Sequence, residues 1–251
     1  MPAMAIVRDI AVVLRRFEYS ETSQVLVLFT RAHGKVRTLA KGMKRSTRQR
    51  FAAAVDVLDV GAVALLEQRS AADGLSTLTE WKQQRFCGGL RERLDRIHAG
   101  QYAAEVTAML TEDWDAHPAL FDALAELLSR LNDSMGVLDL VVGYQCTLLS
   151  EVGLWPRFDA CVLCGRRSEL TTFSALEGGA VCRHCEPSQI EKRSVPGAVI
   201  ASLAAWSAAA GPPFDRPPDV RAFDVLDYHL SHAAGRPPST GRLLRAHFEH
   251  R

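Results

Sequence analysis

Up to about residue 84 the apolar positions come in short runs rich in Val, Leu and Thr, broken by turn residues, which is the rhythm of strands. Five strands are predicted, at 6–17, 24–30, 35–40, 55–66 and 75–81, joined by a loop at 18–23, a turn at 31–34, a basic loop and a turn at 70–74. Five strands in so short a span suit a small closed barrel. The OB-fold is the common five-stranded barrel that binds nucleic-acid strands, and an SH3-like barrel is the competing architecture. After Phe86 the period becomes helical. Leu94, Ile97, Val106, Met109 and Leu110 share one predicted face, and Leu120, Leu124, Leu127, Leu128 and Leu131 the next, with Pro118 placed in the first turn of that second helix. A third helix is predicted over 137–152, ended by Gly153 and Pro156, and two more over 196–210 and 219–234 around a turn-rich linker at 211–218.

Composition adds that the chain can build a core: 47 % of its 251 residues are hydrophobic, enough for one large or two to three small domains. No run of eighteen apolar residues occurs, and residues 1–17 alternate and carry Arg8 and Asp9, unlike a signal peptide, so a cytoplasmic protein is expected. Net charge is only +1, but it is segregated. Arg31, Lys35, Arg37, Lys41, Lys44, Arg45, Arg48 and Arg50 fall in one stretch without an acid. Between Glu105 and Asp139 the acids Glu105, Glu112, Asp113, Asp115, Asp122, Glu126, Asp133 and Asp139 face the single base Arg130.

The strongest candidate chemistry lies in the cysteines. Cys161-Val162-Leu163-Cys164 and Cys182-Arg183-His184-Cys185 are two C-x2-C pairs with 17 residues between them, the spacing of a four-thiolate zinc site. Each pair bends the backbone so that two thiolates reach adjacent corners of a tetrahedron, with Gly165, Gly178 and Gly179 as turn positions. Disulfides or a redox C-x-x-C are the bland alternatives, and a reducing compartment argues against them. Catalytic zinc needs an open coordination position, which four cysteines close. One structural Zn2+ per chain is expected, with His184 near the surface and Cys146 a buried thiol.

The predicted fold class is therefore α+β and multidomain. An N-terminal OB-fold β-barrel at 1–84 is followed by an α-helical domain at 85–157 and 190–251, with a zinc finger at 158–189 inserted in it.

The basic stretch is the second candidate site. Alternation along the strand puts Lys35 and Arg37 on one face, opposite Val36, and aims them out of the barrel. Cations in such number displace condensed counterions from a phosphate backbone and give salt-sensitive, sequence-independent affinity; a merely solvated loop is the alternative. Aromatic residues are sparse here, with only Phe51 nearby, so a base-stacking platform is not evident. No phosphate-binding G-x-x-x-x-G-K-[ST] loop, H-E-x-x-H, G-x-S-x-G or compact carboxylate cluster occurs, so no enzyme is predicted and a magnesium nuclease is disfavoured. An RNA-binding or ribosome-associated OB/zinc-finger protein is the alternative function.

Together these residues resemble the RecO family of bacterial recombination and DNA repair mediators, over nearly the whole chain. The resemblance rests on Tyr19-Ser20-Glu21 followed by Leu26-Val27-Leu28-Phe29-Thr30, and on His33-Gly34-Lys35-Val36-Arg37 leading to Ala40-Lys41-Gly42. It continues from Leu148-Leu149 through Gly153 and Pro156 into Cys161-Val162-Leu163-Cys164-Gly165, then from Phe173-Ser174 to Cys182-Arg183-His184-Cys185. The resemblance implies binding of single- and double-stranded DNA and annealing of complementary strands. It also implies loading of RecA, with RecR, on strands coated by single-stranded DNA-binding protein, in a cytoplasmic, nucleoid-associated setting with no membrane partner. By position in the motif, Lys35, Arg37, Lys41, Lys44 and Arg45 correspond to the family's DNA-binding barrel face; Arg31, Arg48 and Arg50 extend it.

Overall fold

The computed structural model describes residues 6–41, 55–67, 75–85, 88–133, 136–208 and 218–249. Packing divides the chain into two compact units, Met1–Asp133 and Ser134–Arg251.

In the first unit five strands, β1 (Ile6–Glu18), β2 (Gln24–Thr30), β3 (Gly34–Ala40), β4 (Val60–Leu66) and β5 (Ser76–Arg85), close a barrel in the order β1-β2-β3-β5-β4. β1 serves both sides of the closure. Its first half pairs with β4 and its second with β2, and a bulge between Val13 and Arg15 bends the strand from one to the other. The remaining seam is the short parallel pairing of Thr38 and Leu39 in β3 with Ser76 and Thr77 in β5. Inward positions, among them Ala11, Val13, Leu26, Leu28, Val36, Ala40, Val63, Leu65, Leu78 and Trp81, form one apolar core. β4 begins at Val60 rather than at the expected Val55, because residues ahead of it turn: Leu58 has φ 73°, and the Asp59 carboxylate accepts the Asp56 N–H at 2.8 Å. β5 runs past the expected Trp81 because its pairing with β4 continues to Arg85.

Two helices, α1 (Leu94–Leu110) and α2 (Pro118–Asp133), belong to this same unit. The division at Asp133 falls inside the stretch expected to open the helical domain at 85. α2 buries Leu120, Leu124, Leu127, Leu128 and Leu131 as its periodicity predicts, and sets Phe121 6.2 Å from Phe29 of the barrel. α1 matches its predicted face only in part: Val106 is buried and Ile97, Met109 and Leu110 are half-buried. Leu94 is 68 % exposed, and the buried side also takes in Ala99, Gly100, Tyr102, Ala103, Ala104 and Thr107 with Asp95, Arg96 and Glu105. Small residues win because the helix lies close against its neighbours: a Cβ on Gly100 would come within 2.7 Å of Leu58 and 3.3 Å of Leu128.

The second unit holds α3 (Val137–Glu151), α4 (Gly197–Ala208), α5 (Val220–Ala233) and α6 (Gly241–Glu249), the last not anticipated from sequence. A three-stranded sheet, β6 (Leu170–Ser174), β7 (Gly179–Cys182) and β8 (Arg193–Ser194), is ordered β7-β6-β8. A row of rings fastens it to the helices. Trp206 of α4 lies 4.9 Å from Trp155, Trp155 5.5 Å from Phe158, Phe158 5.6 Å from Phe173 of β6, and Phe173 5.7 Å from His229 of α5. Glu191 adds a polar tie by accepting from Ser174 Oγ at 2.8 Å, from the Leu176 N–H at 3.0 Å and from the Tyr228 hydroxyl.

Candidate metal centre and nucleic-acid interface

The four cysteines are brought together by the β6–β7 hairpin and the turn ahead of it. Cys182 ends β7 and Cys185 follows in a turn closed by its own N–H donating to the Cys182 carbonyl at 3.0 Å. The first pair sits on a tight loop in which the Cys161 N–H donates to Arg166 O at 2.8 Å and the Gly165 N–H to Cys161 O at 2.9 Å. Gly165 there has φ +75°, a left-handed conformation that favours glycine. Gly179 is required for a different reason: a Cβ would lie 2.4 Å from Arg157 O and 2.6 Å from Val162, so only glycine lets the first loop cross β7.

All four sulfurs lie within 4.8 Å of one another, with Cys164 and Cys182 at 3.7 Å. A zinc–thiolate bond of about 2.3 Å sets tetrahedral sulfur–sulfur edges of about 3.8 Å, so the cluster fits such an ion. Its separations are those of ligands and not of a disulfide, whose sulfurs lie about 2 Å apart. The surroundings favour thiolate at Cys161 and Cys182. Burial pushes the Cys161 thiol up, but hydrogen bonds from the backbone of Cys182, Cys164 and Leu163 outweigh it and bring the thiol down to about 6. The backbone N–H of Cys185 likewise lowers Cys182. Cys185 is pushed up to about 12, first by its hydrogen bond with Cys164. Cys161 and Cys182 are buried, Cys185 half-buried and Cys164 exposed, while His184 is exposed outside the set. Cys146 is fully buried and its thiol pushed up by burial, as its helical position predicts.

The basic stretch is divided by what packs beside it. Val36 is fully buried and Lys35 and Arg37 face outward, as alternation predicts. Lys35 Nζ then donates to the carbonyls of Ala108, at 2.9 Å, and Thr111, and lies 3.5 Å from Asp113, which caps the C-terminal end of α1 with a cation. Arg37 pairs with Asp113 at 3.1 Å, and Arg31 makes a two-pronged pair with Asp122 at 2.8 Å to each oxygen. The Arg31 guanidinium holds the Asp122 carboxyl below the usual carboxylate range. The acidic middle of the chain thus supplies the counter-charges of the basic strand. Backbone contacts seal the joint. Trp114 N–H donates to Lys35 O at 2.9 Å, and a Cβ on Gly34, at φ +70°, would lie 1.8 Å from Asp115 O. Lys41 is exposed and has no carboxylate partner among the described residues. Lys44, Arg45, Arg48 and Arg50 lie outside the described residues, as do Phe51 and Cys87.

Against this geometry the comparisons with known proteins are specific. The family model described as Recombination protein O N terminal matches residues 4–85, and that described as Recombination protein O C terminal matches residues 91–241. The chain belongs to the RecO family. The curated protein of Rhodopirellula baltica named DNA repair protein RecO is 35 % identical over 183 residues, 71 % of this chain and 67 % of its own. Proteins of the same name from Myxococcus xanthus and Anaeromyxobacter dehalogenans (strain 2CP-C) are each 33 % identical, over 234 and 240 residues, covering 91 % and 93 % of this chain and 92 % and 93 % of theirs. In this RecO-family chain the barrel coincides with the N-terminal match, and the cysteine cluster lies in the C-terminal one.

Two features escaped the sequence reading. The partners Asp113 and Asp122 lie 76 and 91 positions from the bases they bind, and no local pattern joins them. Phe17 and Tyr19 are 51 % and 64 % exposed. From Ala11 and Val13, strict alternation would turn Phe17 inward, but the bulge shifts the phase by one and turns it out.

Proposed function

We propose that the chain is a recombination and DNA repair mediator that binds single- and double-stranded DNA and anneals complementary strands. With RecR it helps to load RecA onto single-stranded DNA coated by single-stranded DNA-binding protein. Membership of the RecO family carries this reading. The closed five-stranded barrel bearing a basic stretch supports it physically, because OB-type barrels bind nucleic-acid strands and clustered cations exchange counterions with phosphates. The protein works by binding and not by catalysis.

In this reading Lys41, with Lys44, Arg45, Arg48 and Arg50 after it, takes the phosphate backbone. Arg31 and Arg37, with side chains 50 % and 55 % exposed, keep donors to share with a phosphate. Lys35, at 15 %, is committed to the end of α1 and holds the strand in place. Cys161, Cys164, Cys182 and Cys185 hold one structural Zn2+, which ties the hairpin together and, fully coordinated by thiolates, offers no open position for chemistry.

The test is titration of a labelled oligonucleotide over a salt series, followed by strand annealing with and without RecR and single-stranded DNA-binding protein. Affinity that falls steeply with salt, and annealing of complementary strands, are expected. Salt-insensitive or absent binding overturns the reading.

A further inference from the structure

The bulge in β1 does more than close the barrel. Beyond it, cross-strand partners share a face, so the outer surface of β1, β2 and β3 carries two rows. One is Arg15, Val27 and Arg37; the next is Phe17, Val25 and Leu39. Tyr19 and Lys41 continue the same end of the sheet, immediately after Glu18 and Ala40, which pair with the two sides of Gln24. Strands about 4.8 Å apart put the outer members of each row about 10 Å apart. Val27 is buried and Val25 and Leu39 are half-buried, whereas both aromatic side chains stand out into solvent.

The charges at this end favour an anion. Arg15 and Lys41 have no carboxylate partner among the described residues, and Arg37 is shared with Asp113. Two acids lie close in sequence: Glu18, which accepts from Gln24 Nε2 at 2.8 Å, and Glu21, which is exposed. A ligand that is anionic along its backbone and offers flat apolar faces at intervals matches a surface on which cations alternate with exposed rings. Single-stranded nucleic acid has that chemistry. A duplex hides the base faces in its own stack and offers the rings nothing to cover.

We propose that Phe17 and Tyr19 form a stacking platform for unpaired bases, with Arg15, Arg37 and Lys41 holding the adjoining phosphates. The proposal rests on the DNA-binding reading above and adds to it the element that separates single strands from duplex. It also gives annealing a physical basis, since a strand held by its base faces on a shallow outer sheet is released base by base as a complement pairs with it.

The experiment compares the full-length protein with the Phe17→Ala/Tyr19→Ala double variant on a single-stranded oligonucleotide and on a blunt duplex, each over a salt series. Both side chains are exposed, so the variant should fold, and its urea midpoint is measured alongside. Single-strand affinity is expected to fall about 5- to 100-fold with an unchanged salt slope, and duplex affinity less than about twofold. In a Tyr19→Trp variant, single-stranded DNA should quench the added indole and duplex should not. Unchanged single-strand affinity, equal losses on both ligands, or loss of self-association in place of DNA binding overturns the platform. Failure of the unmutated protein to bind any DNA overturns the DNA-binding reading and the platform with it, whereas salt-sensitive single-strand binding that keeps its full affinity after the double substitution overturns the platform alone.

Discussion

The cysteine cluster and the basic strand both stand out in the sequence, one by spacing and the other by charge, and the structure treats them differently. The four cysteines converge as their spacing requires, with sulfurs within 4.8 Å. The basic strand keeps its predicted direction but loses much of its freedom, because Asp113, Asp122 and the carbonyl end of α1 take Lys35, Arg37 and Arg31. A C-x2-C pair carries its partners within a few residues and needs only a hairpin to bring in the second pair. A lysine takes whichever acceptor the fold delivers, here from more than 70 residues away. Spacing predicts a site when the ligand set is local and complete; charge predicts one only after the neighbouring surface is known.

The comparison breaks first at the metal. Removing the ion with a strong chelator, or replacing Cys161 with Ser, should release about one zinc per chain and unfold the region 158–189. Structural zinc contributes apparent free energies of about 10–16 kcal/mol to small domains. Metal analysis with limited proteolysis reads this, and a metal-free protein with the same protection would contradict it.

The next effect is at the joint between β3 and the α1–α2 turn. Gly34→Ala would drive a Cβ to 1.8 Å from Asp115 O at a backbone angle of φ +70°, and should lower unfolding stability by about 3 kcal/mol in urea.

Lys35 and Lys41 then separate structure from binding. Lys35→Met removes a charged cap from α1 and should cost about 1–3 kcal/mol, with little change in salt-dependent DNA affinity beyond that loss. Lys41→Ala should leave stability unchanged and reduce DNA affinity a few-fold, with the salt slope lowered by about one contact. The reverse pattern would return Lys35 to the DNA face.

The smallest effect is a pH dependence in the unit that holds the cysteines. Burial lowers the His229 pKa from 6.5; its Nε2 lies 2.9 Å from the Leu154 carbonyl, and its buried Nδ1 has no hydrogen-bond partner among the described residues. The unfolded chain therefore takes up a proton near pH 6.5 that the folded chain resists, and stability falls as pH drops below that value. His229→Gln should flatten this part of the profile in denaturant titrations at pH 7.5 and 5.5.

Much of the fold was legible because periodicity is local. The five strands, the leucine stripe of α2 and the buried Cys146 follow from residues within a turn or two of each other. The face of α1 was legible only in part: Val106 is buried as predicted, but a helix pressed against two neighbours also buries Gly100 and its alanines and leaves Leu94 outside. α6 went unseen in a short terminal stretch. Phe17 went unseen as a surface residue because one bulged position inverts every side chain after it.

Sequence alone determined the cysteine set, the barrel's strand pattern and the family resemblance, all of which depend on order and spacing along the chain. Tertiary structure alone decided which cations remain available. A charge is neutralised by proximity in space, and Asp113 and Asp122 come near β3 only when α1 and α2 fold back against the barrel.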